Sequence, residues 1–340
     1  MGRKTQQNNI TSPELLEQVN PKNVRLKKDF LRYLHAMQRS DKTCESYAND
    51  IDIFFVYLLQ NCGNKFFVDV TKRDLISFQG YLLDENKNSP ARIRRIKATL
   101  SSLSNYICNA LDDEFPNYRN IVHAIESPPN VPVRAKTVLS DEQCQQLLDT
   151  LVAKAHYEQA CLVALAMFGG RRKSELVRFK VHYFDSENII FGSLYKTPEP
   201  IKTKGRGGNK PLVVYTLVKE FKPYLDLWMQ ERQTKGITSE WLFPNPEDPA
   251  KHMDASTLNS WAKTFSRLLG VDFYFHACRH RFATALSMSG LPDDVIQSIV
   301  GWQSVEMCRL YIDIDPVDNL GQYFQDGQII SKRSASLQDL

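Results

Sequence analysis

Three prolines in ten residues, in SPPNVPVRAK at 127–136, interrupt this chain of 340 residues where neither a helix interior nor a central strand can pass. Such a stretch is extended and semi-rigid, and it reads as an interdomain linker over 127–137. Each side of it is long enough to bury a core of its own. The expected plan is a flexible N-terminal segment at 1–21, a helical domain at 22–126, a second domain at 138–320 and a C-terminal tail at 321–340.

The first domain repeats apolar residues at helical spacing throughout. Phe30, Leu31, Leu34 and Met37 make one face, and Tyr47, Ile51, Phe54, Phe55 and Leu58 make the next. Thr71 opens a third helix; Ser89 followed by Pro90 caps a fourth, whose stripe is Ile93, Ile96, Leu100 and Leu103. A net charge of +4 is too small to argue for nucleic acid, but its distribution is uneven. Residues 22–42 carry seven Lys or Arg against two Asp, and RIRRIK at 92–97 places Arg92, Arg94, Arg95 and Lys97 together with no acid among them. Either cluster alone fits a solvated helix face; concentrated charge of this sort also suits a phosphate backbone.

Ser140 and Gln143 form a capping box that starts the second domain, with helices at 141–152 and 157–168. NIIFG (188–192) and KPLVVY (210–215) are β-rich, with the turn KGRGGN before the second, and helices resume near Val218. The fold class expected is mainly α with a small, three-stranded antiparallel β-sheet (α+β). The longest apolar run, ACLVALAMF at 160–168, is far too short to span a bilayer, and no secretory signal is visible. Seven cysteines, an odd number without a CxxC, read as reduced core thiols of a cytoplasmic protein, and no metal-ligand spacing competes with that reading.

Three segments carry residues that packing alone does not explain. In HACRHRFATALSMSG (276–290), Arg279 shares a helix face with Phe275, Phe282 and Leu286, and His276 lies one turn before it. A guanidinium in a core is costly unless it meets an anion, either a buried carboxylate or a ligand. His280 and Arg281 point elsewhere, as surface or backbone-contacting groups. In FGGRRKSELVRF (168–179) an apolar helix runs into two glycines and then Arg171 and Arg172, at the mouth of a new helix where anions are favoured. In SIVGWQSVEMCRLYIDI (298–314), Gly301 stops a short helix and Tyr311 ends the second turn of the next.

Taken together, Arg172-Lys173-Ser174-Glu175-Leu176, His276 with Arg279, Gly301-Trp302 and Tyr311 nine residues after Trp302 resemble the tyrosine recombinase (phage integrase) family in order and spacing. The resemblance covers about residues 24 to 325. It implies an all-helical core-binding domain followed by a tyrosine-recombinase catalytic domain. By that resemblance Arg172, Lys204, His276, Arg279, Trp302 and Tyr311 are catalytic, with Tyr311 the nucleophile and Glu175 in support. The family lysine sits at a hairpin turn, which favours Lys204 and leaves Lys202 and Lys210 open; Arg172 is favoured over Arg171 only by register with Ser-Glu-Leu. DNA contacts are expected from Arg92, Arg94, Arg95, Lys97, Arg171, His280 and Arg281.

The resemblance further implies duplex DNA with specific sites as partner, a homotetramer on DNA, a 3′-phosphotyrosine intermediate and a Holliday junction, with no metal or other cofactor and no membrane. The tail at Tyr323 to Ile330 is expected to dock on a neighbouring subunit. Only about 20 residues precede the helical domain, so no arm-site-binding domain is expected. The biological role expected is integration or transposition of a mobile element. Alternatives are an Xer-like resolvase of replicon dimers, a type IB topoisomerase, or an inactive DNA-binding relative.

Overall fold

Short polar side chains set where the N-terminal helices begin. Ser12, Ser40 and Ser89 each accept a first-turn N–H, Asn20 accepts that of Lys22, and Thr71 with Asp74 forms a reciprocal capping box. The helices that follow are α1 (Pro13–Glu17), α2 (Pro21–Ala36), α3 (Asp41–Asn61), α4 (Lys72–Gly80) and α5 (Pro90–Ala110). The computed structural model describes residues 10–129, 139–203, 210–302, 304–311, 324–325 and 328–329. The chain divides near Ala135 into two units.

In the first unit, Leu26, Phe30 and Leu34 of α2, Ile51, Phe54, Phe55 and Leu58 of α3 and the Ile93, Ile96, Leu100 and Leu103 stripe of α5 form one core. Met37 does not join it: it lies at the C-cap of α2, past the last full turn, and is exposed. The N-terminal segment departs from expectation as well. Residues 12–20 are built into the unit, with Val19 buried and Asn20 donating two 2.9 Å hydrogen bonds to Asn64, from its backbone N–H and its side-chain amide. Leu15 and Leu16 also pack against the core, on a helix of five residues that is too short to show apolar periodicity. Residues 1–9 lie outside the described residues.

The second unit is organised around a helix with no polar face. It contains α6 (Asp141–Ala153), α7 (Tyr157–Gly169), α8 (Lys173–Leu176), α9 (Val218–Thr234), α10 (Thr257–Leu269), α11 (Phe275–Met288), α12 (Asp293–Val300) and α13 (Glu306–Tyr311). Every residue from Ala160 to Met167 is fully buried, so α7 is enclosed on all sides, with α6, α9 and α11 packed against it. That enclosure is where the longest apolar run goes; among the described residues no helix is long and apolar enough to cross a membrane. All seven cysteines are free thiols.

The strands are β1 (Ile189–Ile190), β2 (Leu194–Lys196), β3 (Ile201–Thr203), β4 (Lys210–Leu212) and β5 (Tyr215–Leu217). The expected three-stranded antiparallel sheet is present in the order β1-β2-β5, but β3 and β4 form a separate antiparallel hairpin. Pro198 and Pro200 lie between β2 and β3 and supply no ladder donors, so one long strand cannot form there. KPLVVY is likewise divided, since Val214 leaves the ladder to exchange hydrogen bonds with Thr197. In the tail, β6 (Phe324–Gln325) pairs with β7 (Gln328–Ile329), and the expected docking segment otherwise lies outside the described residues. The linker expected at 127–137 falls mostly outside them too.

Candidate active site

Two glycines let three segments of the second unit meet. Gly170 caps α7 at φ +61°, and a Cβ there would lie 2.3 Å from the Phe282 ring of α11. Gly301 caps α12 at φ +76°, and its Cβ would lie 2.2 Å from Leu212 of β4. Both positions therefore require glycine twice over, for the left-handed backbone and for the close approach. The first brings the double-arginine loop onto α11, and the second brings the β3–β4 hairpin onto the Gly301-Trp302 turn.

Glu175 stands at the centre of this meeting. It is buried, its Oε2 accepts the backbone N–H of Arg172 at 3.0 Å and lies 3.9 Å from Arg279 Nη1, and its Oε1 accepts Arg172 Nη1 at 2.9 Å. Burial by itself would raise the pKa of this carboxyl. The backbone and side-chain hydrogen bonds from Arg172, with the charges of Arg171 and Arg172, outweigh burial and hold it below its ordinary value. Arg279 is fully buried, as its place on the apolar face of α11 required. Its Nη1 donates to the Gly170 carbonyl at 2.9 Å, and its guanidinium lies 5.7 Å from the centre of the Trp302 ring.

His276 is half-buried one turn before Arg279 on α11, and its ring meets that of His280 edge to face at 5.1 Å. Burial first, and then the charges of His280, Arg279 and Arg172, depress its pKa to about 4, so the imidazole is neutral at physiological pH. Trp302 is buried directly after Gly301. Tyr311 is the last residue of α13, which packs against α11 and α12 and is tied to the start of α12 by Cys308 Sγ donating to the Asp293 carbonyl at 3.3 Å. Lys204 lies outside the described residues. Lys202 is on β3, exposed, between buried Ile201 and Thr203, and its carbonyl accepts Arg178 Nη1. Lys210 begins β4 opposite Thr203.

Several of the residues expected to contact DNA have partners within the protein. Arg171 is fully buried and spends its guanidinium on backbone carbonyls, donating through Nε to Gly169, Nη1 to Val300 and Nη2 to Ile299. Burial first, and then the neighbouring charge of Arg279, pushes its pKa down to about 9. Arg171 follows the left-handed Gly170, past the end of α7, so helical periodicity gave no sign of its burial. His280 is buried against His276 rather than on the surface. Arg281 pairs with Asp141, which anchors α11 to the first turn of α6.

In the first unit, Arg92 lies 2.5 Å from Asp50, a carboxylate with no exposed surface that also accepts Thr99 Oγ1 at 3.0 Å. Arg92 therefore neutralises a buried charge. Lys97 is likewise engaged, donating to Ser127 Oγ at 2.9 Å. Arg94 and Arg95 stay exposed, the first donating to the Pro128 carbonyl and the second 3.6 Å from Asp50. Among the described residues no group of three or more His, Cys, Asp or Glu is placed to hold a metal ion.

The profile of the Phage integrase family matches residues 137–317, more than half of the chain. The chain belongs to this family of tyrosine recombinases. It is 29% identical over 230 residues to the SPbeta prophage-derived recombinase-like protein YomM of Bacillus subtilis (strain 168), a match spanning 67% of this chain and 66% of that protein. A tyrosine recombinase of Thermosipho africanus (strain TCF52B) is 23% identical over 290 residues, covering 84% of this chain and 93% of the relative. Among solved structures, the XerH site-specific recombinase in a post-cleavage complex with palindromic difH substrate superposes with a TM-score of 0.65 at 17% identity, over 88% of this chain and 95% of that one. Family membership makes the chain a site-specific recombinase, with the mainly helical fold and small antiparallel sheet of its tyrosine-recombinase kin.

Proposed function

We propose that this chain cuts and rejoins duplex DNA at specific sites through a 3′-phosphotyrosine on Tyr311. The observation that carries the reading is the buried cluster in which Arg172 and Arg279 share Glu175 beside a neutral His276. Phosphoryl transfer adds charge to the non-bridging oxygens, and preorganised guanidiniums match those oxygens with paired donors. Arg172 and Arg279 are assigned that clamp, and Glu175 aligns the two. The Tyr311 oxygen bonds to phosphorus as the 5′ oxygen leaves. The phenol proton passes to His276, and Lys204 returns a proton to the leaving oxygen. The Trp302 ring packs over Arg279 and supports the tyrosine segment. The bond energy of the phosphodiester is conserved in the adduct, so the same groups run the reverse step.

On this reading the partner is double-stranded DNA, bound with Arg94 and Arg95 of α5 among the backbone contacts, and four protomers exchange strands through a Holliday junction in the cytoplasm. The β6–β7 segment is proposed to dock on a neighbouring protomer. Likeness to a prophage-derived recombinase supports integration or transposition of a mobile element as the role. An Xer-like resolvase of replicon dimers is the second reading, kept by the likeness to recombinases named XerC and XerA.

Duplexes tiled across the DNA flanking the gene, each nicked near the cleavage position to trap the intermediate, should give an SDS-stable protein–DNA adduct with one of them. Tyr311→Phe should abolish it. Absence of an adduct on every duplex, or its persistence in Tyr311→Phe, would overturn the assignment.

A further inference from the structure

Arg171 is a buried cation that the proposed chemistry leaves unused. It sits between Gly170, whose carbonyl accepts from Arg279, and Arg172, which is bonded to Glu175. Its own donors go elsewhere: one back to Gly169, and two across the unit to Ile299 and Val300, the last two residues of α12. Those carbonyls belong to the last turn of the helix, where no intrahelical partner exists and where a positive charge is favoured by the helix dipole. Directly beyond them come Gly301, held in a left-handed turn under Leu212, and Trp302 at the Arg279 guanidinium.

We propose that Arg171 is a positioning residue, a clamp that fixes the α12–Gly301–Trp302 turn, and through it the tyrosine-bearing α13, against the loop that carries Arg172. A planar fork is needed for this, because donors at three angles are presented at once to Gly169, Ile299 and Val300. Lysine retains the charge but offers a single nitrogen at the end of a flexible stem. Without the clamp, the clamp-side residues Arg172 and Arg279 keep their Glu175 and Gly170 partners, while the segment that delivers the nucleophile is free to shift relative to them. A misplacement of about 1 Å is enough to cost on the order of a hundredfold in a reaction that depends on alignment.

The activity part of this inference rests on the proposed function, so its test has an arm that does not. Hydrogen exchange on the free protein should show faster exchange in peptides covering 293–311 for both Arg171→Lys and Arg171→Met, with peptides covering 141–168 unchanged. Unchanged exchange in 293–311 overturns the clamp, whether or not the wild-type chain forms an adduct. Given a duplex on which the wild type does form one, both variants should bind it within about threefold of wild type. They should form the adduct at least tenfold more slowly, with the pH profile of the rate unaltered. Loss of DNA binding in step with loss of adduct, or wild-type rates in either variant, overturns the positioning role. Arg171→Lys covers the case in which Arg171→Met does not fold.

Discussion

His276 and Arg279 are three residues apart on α11 and answer to burial in opposite ways. The imidazole gives up its charge, with a pKa of about 4, whereas the guanidinium keeps its charge and needs anions and carbonyls around it. The pH consequence follows from the sign of the shift. Folding depresses the His276 pKa below its unfolded value near 6.5, so its share of stability is fully present above that pH and is lost as pH falls towards 4. The rate of adduct formation, measured under single turnover, should therefore show no inflection near pH 6.5; one centred there would mean that His276 is not the proton acceptor in the state seen here. At Arg279 stability and activity should separate. Arg279→Met leaves Glu175 its two Arg172 hydrogen bonds but strands the buried Gly170 carbonyl, at a cost of about 1–3 kcal/mol, while loss of a transition-state donor costs roughly a hundredfold in rate. Urea denaturation and the gel assay together check this, and a large loss of stability without loss of rate would contradict it.

At the scale of elements, α3 and α5 are joined not only by apolar stripes but by Asp50, whose charge is wholly buried. Removing its nearest cation leaves that charge inadequately paired, with a typical cost of about 3–5 kcal/mol. Arg92→Ala should accordingly lower the stability of the helical unit by that order, whereas Arg94→Ala at an exposed site should change it by less than about 0.5 kcal/mol. Thermal melts of the two variants make the comparison; equal effects would show that Asp50 does not depend on Arg92. The basic run RIRRIK was legible as a helix face, but its division into a buried structural cation and exposed ones was not. That division depends on Asp50, 42 residues earlier in the chain, turning inward on another helix.

Across the whole molecule the two units have separate cores, one centred on Phe30, Phe54 and Leu103 and the other on α7. All four tryptophans, Trp228, Trp241, Trp261 and Trp302, lie in the second unit. Tryptophan fluorescence should thus follow the second unit alone, while far-ultraviolet circular dichroism follows both. The two melting curves should not coincide, and Arg92→Ala should move the dichroism curve while leaving the fluorescence midpoint in place. Coincident curves that shift together in the variant would mean that the units unfold as one.

Much of this was written locally. Caps at Ser40, Thr71, Ser89 and Ser140, the glycine stops at Gly170 and Gly301, the apolar stripes and the order of the arginine, histidine, tryptophan and tyrosine motifs are all short-range features, and short-range sterics and hydrogen bonding determine them. What only the tertiary structure decided was the fate of charged side chains. Arg171 and Arg172 are neighbours of the same type, yet one turns inward to carbonyls 128 and 129 positions away and the other to a carboxylate three residues on. His280 turned inward to the ring of His276. A charge is stable in a protein only where its partners are, and partners brought together by folding leave no mark in the sequence around it.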